Sequence, residues 1–403
     1  MSQIAFILLL ACATAAHLAD RLTLDTVTLA ASVAGLTPPM IGLLVAAQSA
    51  AWLLVSLPAG VLADRLSPRQ MISAGGLCIL LGSLAGAGLV LGKAPALLLG
   101  LATFLAATGT VLVALSLFVI VPRIVATAEL ATANGRLELG RAMVTLAAPI
   151  IAGWLVGKGA ASSALLLAAF SGLVIVLAAR QLPRIEASTA PRQSMLSAIA
   201  TGGRFVVSHP WLRPIALCAI FWNLAFFGLM AILAPYAQKI FALGPEQIGT
   251  ALSAYGAGLL TGASFGPAII ARLRIGWLLV FGPASSLLAA LCLALAPAST
   301  GWIAIALASF LFGFGPILWF IVQTSLRQAV TPPELLGRVS ATITTAIYGM
   351  RPLGALGAGL VAGQFGLEFA IWLPVLLFAL STAAILASQM PALRTMPERA
   401  AIA

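Results

Sequence analysis

Charge is what this chain has least of: Asp, Glu, Lys and Arg make up 8% of its 403 residues, and only ten of those are acidic. An ordinary soluble domain carries about 25% charged residues, so a water-facing shell cannot be drawn from this composition. Lysine is confined to Lys93, Lys158 and Lys239. The four cysteines, Cys12, Cys78, Cys218 and Cys292, lie singly in apolar segments, which excludes metal-type spacing and reads as core packing. There is no H-E-x-x-H, no nucleophile elbow and no phosphate loop. An intramembrane enzyme would have to borrow Glu138 and His17 for acid-base work, and the reading is that this is no enzyme and takes no cofactor or metal.

What fills the space is apolar. Hydrophobic residues reach 62% and mean hydropathy is +1.12, against about 45–50% apolar content in soluble domains. Runs long enough to cross about 30 Å of hydrocarbon recur with short polar breaks, too long and too little alternating for barrel strands. The N-terminal "IAFILLLACATAA" lacks the basic segment of a signal peptide and reads as the first half of a transmembrane helix. The fold class expected is an all-α membrane protein with spans at 4–34, 38–63, 70–92, 95–121, 137–157, 160–181, 211–242, 247–270, 275–297, 300–326, 340–363 and 367–390.

The net charge of +11 is a matter of placement rather than of nucleic-acid binding. Arginines gather in alternate connections: Arg65 and Arg69; Arg123 and Arg136; Arg184, Arg192 and Arg204; Arg272 and Arg274; Arg327 and Arg338; Arg394 and Arg399. The intervening connections carry the lysines with Glu246 and Glu368. By the positive-inside rule the arginine side and both termini are cytoplasmic, in a plasma membrane.

The longest connection separates two halves, giving a bundle over 1–181, a cytoplasmic linker over 182–209 and a second bundle over 210–403 with a short tail. Met195, Leu196 and Ile199 beside Arg192 and Arg204 suit a short interfacial helix, and a solvated linker fits equally well. The halves echo each other. The segment from Ile41 to Arg65 aligns without a gap to that from Ile248 to Arg272, and Gly135-Arg136 matches Gly337-Arg338. Repeated six-helix halves are the mark of a two-bundle transporter.

"LPAGVLADRLSPRQM" joins the second and third spans. Gly60, Asp64, Arg65 and Arg69 fit the pattern G-x-x-x-D-R-x-G-R-R/K, with Ser67 and Pro68 in place of its Gly-Arg. In this the chain resembles the major facilitator superfamily, and the resemblance implies twelve helices in two pseudo-symmetric six-helix bundles. Asp64 at a helix end can accept hydrogen bonds from a neighbouring helix N-terminus and pair with an arginine, so these four residues are read as a cytoplasmic gate. Solvated loop charges that set orientation are the alternative, which explains the arginines but not Asp64 or Gly60.

Charged groups inside spans are costly and are functional candidates by default. In the first span His17, Arg21, Asp25 and Thr28 share a stripe, with Asp20 about 60° aside by the 3.6-residue period. Arg21 and Asp25, four apart, can neutralise each other. Asp20, followed by Leu22-Thr23, resembles the drug:proton antiporter branch that holds macrolide-efflux and enterobactin-exporter proteins. Carboxyls stripped of water take up protons and release them when water or a cation returns, so the proton-coupling candidates are Asp20, Asp25 and Glu138.

The fifth span puts Asn134, Glu138, Arg141 and Thr145 on one stripe. Its Ala148, Pro149, Ala152 and Gly153 resemble a degraded antiporter signature G-P-x-x-G-G, which favours an exporter. The fourth span lacks the buried arginine of many proton-coupled relatives, so Arg141 or Arg21 would have to stand in, unless coupling is weak or absent. Candidates for the substrate cavity are Arg21, Arg141, Trp222, Asn223, Phe226, Tyr255, Trp319, Gln323, Tyr348 and Arg351, each aromatic weighed against plain packing. Few buried amides or carboxylates are present to match sugar hydroxyls, which suits amphipathic substrates.

These readings point to a monomeric secondary exporter of small amphipathic molecules, of drug or siderophore class. It exchanges them for protons by alternating access, with lipids and no nucleic acid as its surroundings. Import or facilitated diffusion of a nutrient, lipid scrambling and a non-transporting sensor are the alternatives.

Overall fold

The computed structural model describes residues 3–125, 129–183 and 195–395. They are helical almost throughout, and no strand occurs among them. Two compact units emerge: Met1–Pro191 with Ala242–Ser253, and Arg192–Phe241 with Ala254–Ala403.

The first unit holds α1 (Gln3–Val33), α2 (Pro38–Arg65), α3 (Pro68–Leu91), α4 (Ala96–Ile124), α5 (Leu130–Gly157) and α6 (Ala161–Gln181), and it takes in the first turns of α9 (Pro245–Arg272). The second holds α7 (Met195–Ser208), α8 (Leu212–Lys239), the rest of α9, α10 (Ile275–Leu295), α11 (Gly301–Val330), α12 (Pro333–Phe365), the single turn α13 (Leu367–Ala370) and α14 (Trp372–Leu386). Of the two forms open for the central connection, the helix is the one seen: α7 lies against α12. There a Cβ on Gly202 would stand 2.6 Å from the carbonyl carbon of Arg338.

Among the described residues eleven helices are long and apolar enough to cross a membrane. The twelfth long helix, α12, falls short because glycines, threonines and Arg351 dilute its apolar content. Large apolar side chains stand outward, such as Leu91 at 71% and Trp277 at 64% exposure. That is a poor surface in water and a natural one in lipid. Between helices, small residues let backbones close up. A Cβ on Gly82 of α3 would meet the Ala106 nitrogen of α4 at 2.5 Å, and one on Gly75 the Gly109 carbonyl at 2.7 Å.

Several boundaries differ from the sequence reading. Helix α5 begins at Leu130, not 137, and α12 at Pro333, not 340, so Arg136 and Arg338 sit in second helical turns rather than in connections. Pro332 and Pro333 start α12, since proline's fixed φ suits a first turn and its missing N–H costs nothing there. The last span is interrupted at Ile371 and ends at Leu386, short of 390.

Ser67 and Pro68, the departures from the family pattern, cap α3. The Ser67 hydroxyl accepts from the Gln70 backbone N–H at 3.3 Å, and the Ser67 N–H donates to Gln70 Oε1 at 2.9 Å. This reciprocal box with proline at the first helical position is a complete helix start.

Candidate functional site

In the first unit the polar groups of α1 are tied to two other helices. Gln48 of α2, 7% exposed, donates from Nε2 to both the backbone oxygen of Asp20 at 3.0 Å and its Oδ1 at 3.1 Å. About one turn earlier on α1, His17 Nε2 lies 3.0 Å from Thr145 Oγ1 of α5. Within α1, Arg21 Nη2 donates to Asp25 Oδ1 at 3.1 Å, with both side chains largely withdrawn from solvent. Thr28 turns onto its own helix, donating to the Leu24 carbonyl at 2.9 Å.

The α5 stripe divides by depth. Glu138 and Arg141 pair at 3.2 Å with 64% and 51% of their side chains exposed, whereas Thr145 is buried at 2%. Further along α5, Ala148 and Ala152 are fully buried. A Cβ on Gly153 would stand 2.5 Å from the Pro245 carbonyl and 2.9 Å from the Gly249 Cα, so α5 and the start of α9 cross at bare backbone. One turn beyond, Lys158 Nζ faces Glu246 Oε1 at 3.7 Å.

The second unit holds a different arrangement. Asn223 of α8, 6% exposed, donates to the Ala219 carbonyl at 2.9 Å, which orients its Oδ1 to accept from Arg351 Nε of α12 at 3.1 Å. The Arg351 guanidinium stands over the Tyr348 ring at 4.5 Å and the Phe227 ring at 4.9 Å, both within cation–π range. Beside it Trp222 stacks on Phe226 at 4.8 Å and donates its indole N–H to Ser286 Oγ at 2.9 Å. Tyr255 meets Phe226 at 5.8 Å.

Not every candidate joins these groups. Trp319 packs against Gly282 of α10 at the edge of a hydrophobic core. Gln323 spends its amide on the Phe320 carbonyl and the Thr324 hydroxyl. Of the gate residues, Arg69 donates to the Leu182 carbonyl at 3.4 Å, tying the start of α3 to the end of α6; the surroundings of Gly60 and the side chains of Asp64 and Arg65 lie outside what is described. Gln48 escaped the sequence reading, and its signal was a lone amide inside the apolar "LLVAAQSAAWLL". Among the described residues no group of three His, Cys, Asp or Glu side chains could hold a metal ion.

A helical membrane chain with ionisable groups held inside its spans is the architecture of a transporter. The Major Facilitator Superfamily model matches residues 9–355, and the chain belongs to that family of membrane transporters. It is similar to the enterobactin exporter EntS of Salmonella typhimurium, 27% identical over 215 residues. That match covers 52% of this chain and 51% of the relative, so the chain spans about half the length of the curated relative it matches. Two solved structures share the fold. The nucleoside transporter NupG has a TM-score of 0.76 at 13% identity, covering 96% of this chain and 98% of that one. A D-xylose-proton symporter has a TM-score of 0.70 at 12% identity, covering 98% and 99%.

Proposed function

We propose that the chain is a proton-coupled exporter of small amphipathic molecules, of drug or siderophore class, working by alternating access. The observation that carries this is Asp20: a carboxyl on an apolar helix, gripped at both backbone and side chain by the buried Gln48. A carboxyl so placed gains a proton where hydration is lost and gives it up where water returns. The outward direction is supported by the exporter relatives, since the solved structures share the fold alone.

In this reading Asp20 carries the proton, with Asp25 and Glu138 as further acidic candidates. Arg351, on its aromatic frame with Asn223, Trp222, Phe226, Tyr255 and Tyr348, contributes to substrate binding from the second unit. Gly60, Asp64, Arg65 and Arg69 form the inner-face gate, and the monomer sits in the plasma membrane with both termini cytoplasmic.

The test uses the purified chain in proteoliposomes, with ethidium as the transported dye under an imposed pH gradient. The intact protein is expected to move ethidium against its gradient at the expense of protons, and Asp20→Asn to lose that dependence. Unchanged proton dependence in Asp20→Asn would refute the assignment.

A further inference from the structure

His17 is an ionisable group of α1 for which the exchange reading names no task. Its partner Thr145 donates its own hydroxyl proton to the Arg141 carbonyl at 2.8 Å. A hydroxyl has one proton to give. Thr145 Oγ1 therefore accepts from His17 at their 3.0 Å contact, so in the neutral ring Nε2 carries the hydrogen and Nδ1 keeps a lone pair. Thr145 is 2% exposed, which keeps water from competing for this bond.

We propose that His17 is a second proton acceptor of the exporter, and that Thr145 passes its change of charge from α1 to α5. This rests on the proton-coupled reading. A hydronium gives its proton to Nδ1 and leaves as water, while Nε2–H stays on Thr145. The bond then becomes charge-assisted, roughly twice as strong as a neutral one.

The groups around the ring make α5 respond. On α1, Asp20 and Arg21 follow a turn later, with Asp25 beyond. From α5 the ring feels Arg141, itself paired to Glu138. Helix α2 brings the neutral Gln48 near Asp20. Among described side chains α4 brings no titratable group, α3 has Arg69 and Cys78, and α6 has Arg180 in its last turn. A charged ring pushes Arg141 away and draws Glu138 closer while gripping Thr145 harder, so protonation acts on α5 through both contact and field.

The protein has two histidines, so His209→Gln leaves His17 as the sole imidazole signal of nitrogen-15-labelled protein in lipid nanodiscs. The expected spectrum shows the Nε2–H tautomer at alkaline pH and uptake of a second proton as the pH is lowered. Adding Thr145→Val is expected to abolish the tautomer preference while the ring still titrates. A neutral Nδ1–H ring with Thr145 intact, or a ring that never titrates, overturns the proposal.

Ethidium efflux supplies the second readout. His17→Gln keeps an amide donor for Thr145 but accepts no proton, and is expected to flatten the pH profile of efflux. Thr145→Val is expected to flatten it too, although its imidazole titrates. A native profile in either variant overturns the relay. Proton dependence lost in His17→Gln yet kept in Asp20→Asn upholds this inference and sinks the role of Asp20. A dye that the intact protein never moves counts against the proposed substrates, and the ring spectra then decide His17 alone.

Discussion

Arg21 and Asp25 show what one buried pair demands of a membrane helix. Their side chains are 12% and 4% exposed, and Arg21 Nε and Asp25 Oδ2 have no hydrogen-bond partner among the described residues. Removing one member strands the other's charge in a poor solvent, so Asp25→Asn is expected to cost about 3 kcal/mol or more. Thermal unfolding in detergent should show a clear fall in Tm, recovered in large part by Arg21→Met with Asp25→Leu. The pair is legible from its spacing of four residues. The bond from Gln48 to Asp20 is not, because it joins residues 28 apart whose meeting depends on how α1 and α2 lie.

His209, between α7 and α8, allows a pH argument outside the spans. Its Nδ1 accepts from the Trp211 N–H at 3.3 Å, and burial holds the imidazole below its ordinary value of 6.5. Below that value the unfolded chain takes a proton that the folded protein refuses, so stability falls as pH drops. The Tm should therefore fall from about pH 7.5 to about pH 5.5 by more in the native chain than in His209→Gln. An equal fall in both would contradict this.

For the elements, backbone proximity is the main constraint. Helices α3 and α4 approach at Gly82 and Gly75, where any Cβ strikes the neighbouring backbone. Gly82→Val is expected to lose about 1–3 kcal/mol from overpacking, read as a lower Tm and a poorer yield of folded protein. Gly88→Ala, on the same helix with nothing within 4 Å of the new atom, is the control and should be neutral or slightly stabilising. Composition marks such glycines as helix-packing residues in general, but not which face a neighbour and which face lipid. The helix starts show the same limit. The capping box at Ser67 is written in the local sequence, whereas the early start of α5 follows Glu129 without any side-chain cap.

At the scale of the whole molecule the arginine pattern makes a prediction about sidedness. With the four cysteines replaced by alanine, Lys93→Cys should react with a membrane-impermeant maleimide added outside intact cells. Arg274→Cys should react only after the membrane is opened. The reverse pattern would invert the proposed orientation and place the termini outside.

Membership of a helical membrane family was legible without any structure, because span length, hydropathy and the D-R motif at Asp64-Arg65 are properties of consecutive residues. So was the Arg21–Asp25 pair, set by helical period alone. The tertiary structure decided which distant groups meet: Gln48 with Asp20, Thr145 with His17, Arg351 with Asn223 and two aromatic faces. It also moved Trp319 and Gln323 into packing and local bonds. The physical reason is that hydrophobic patterning reports what a segment prefers as a solvent, while hydrogen-bond partners depend on helix rotation and crossing, which only the packed bundle sets.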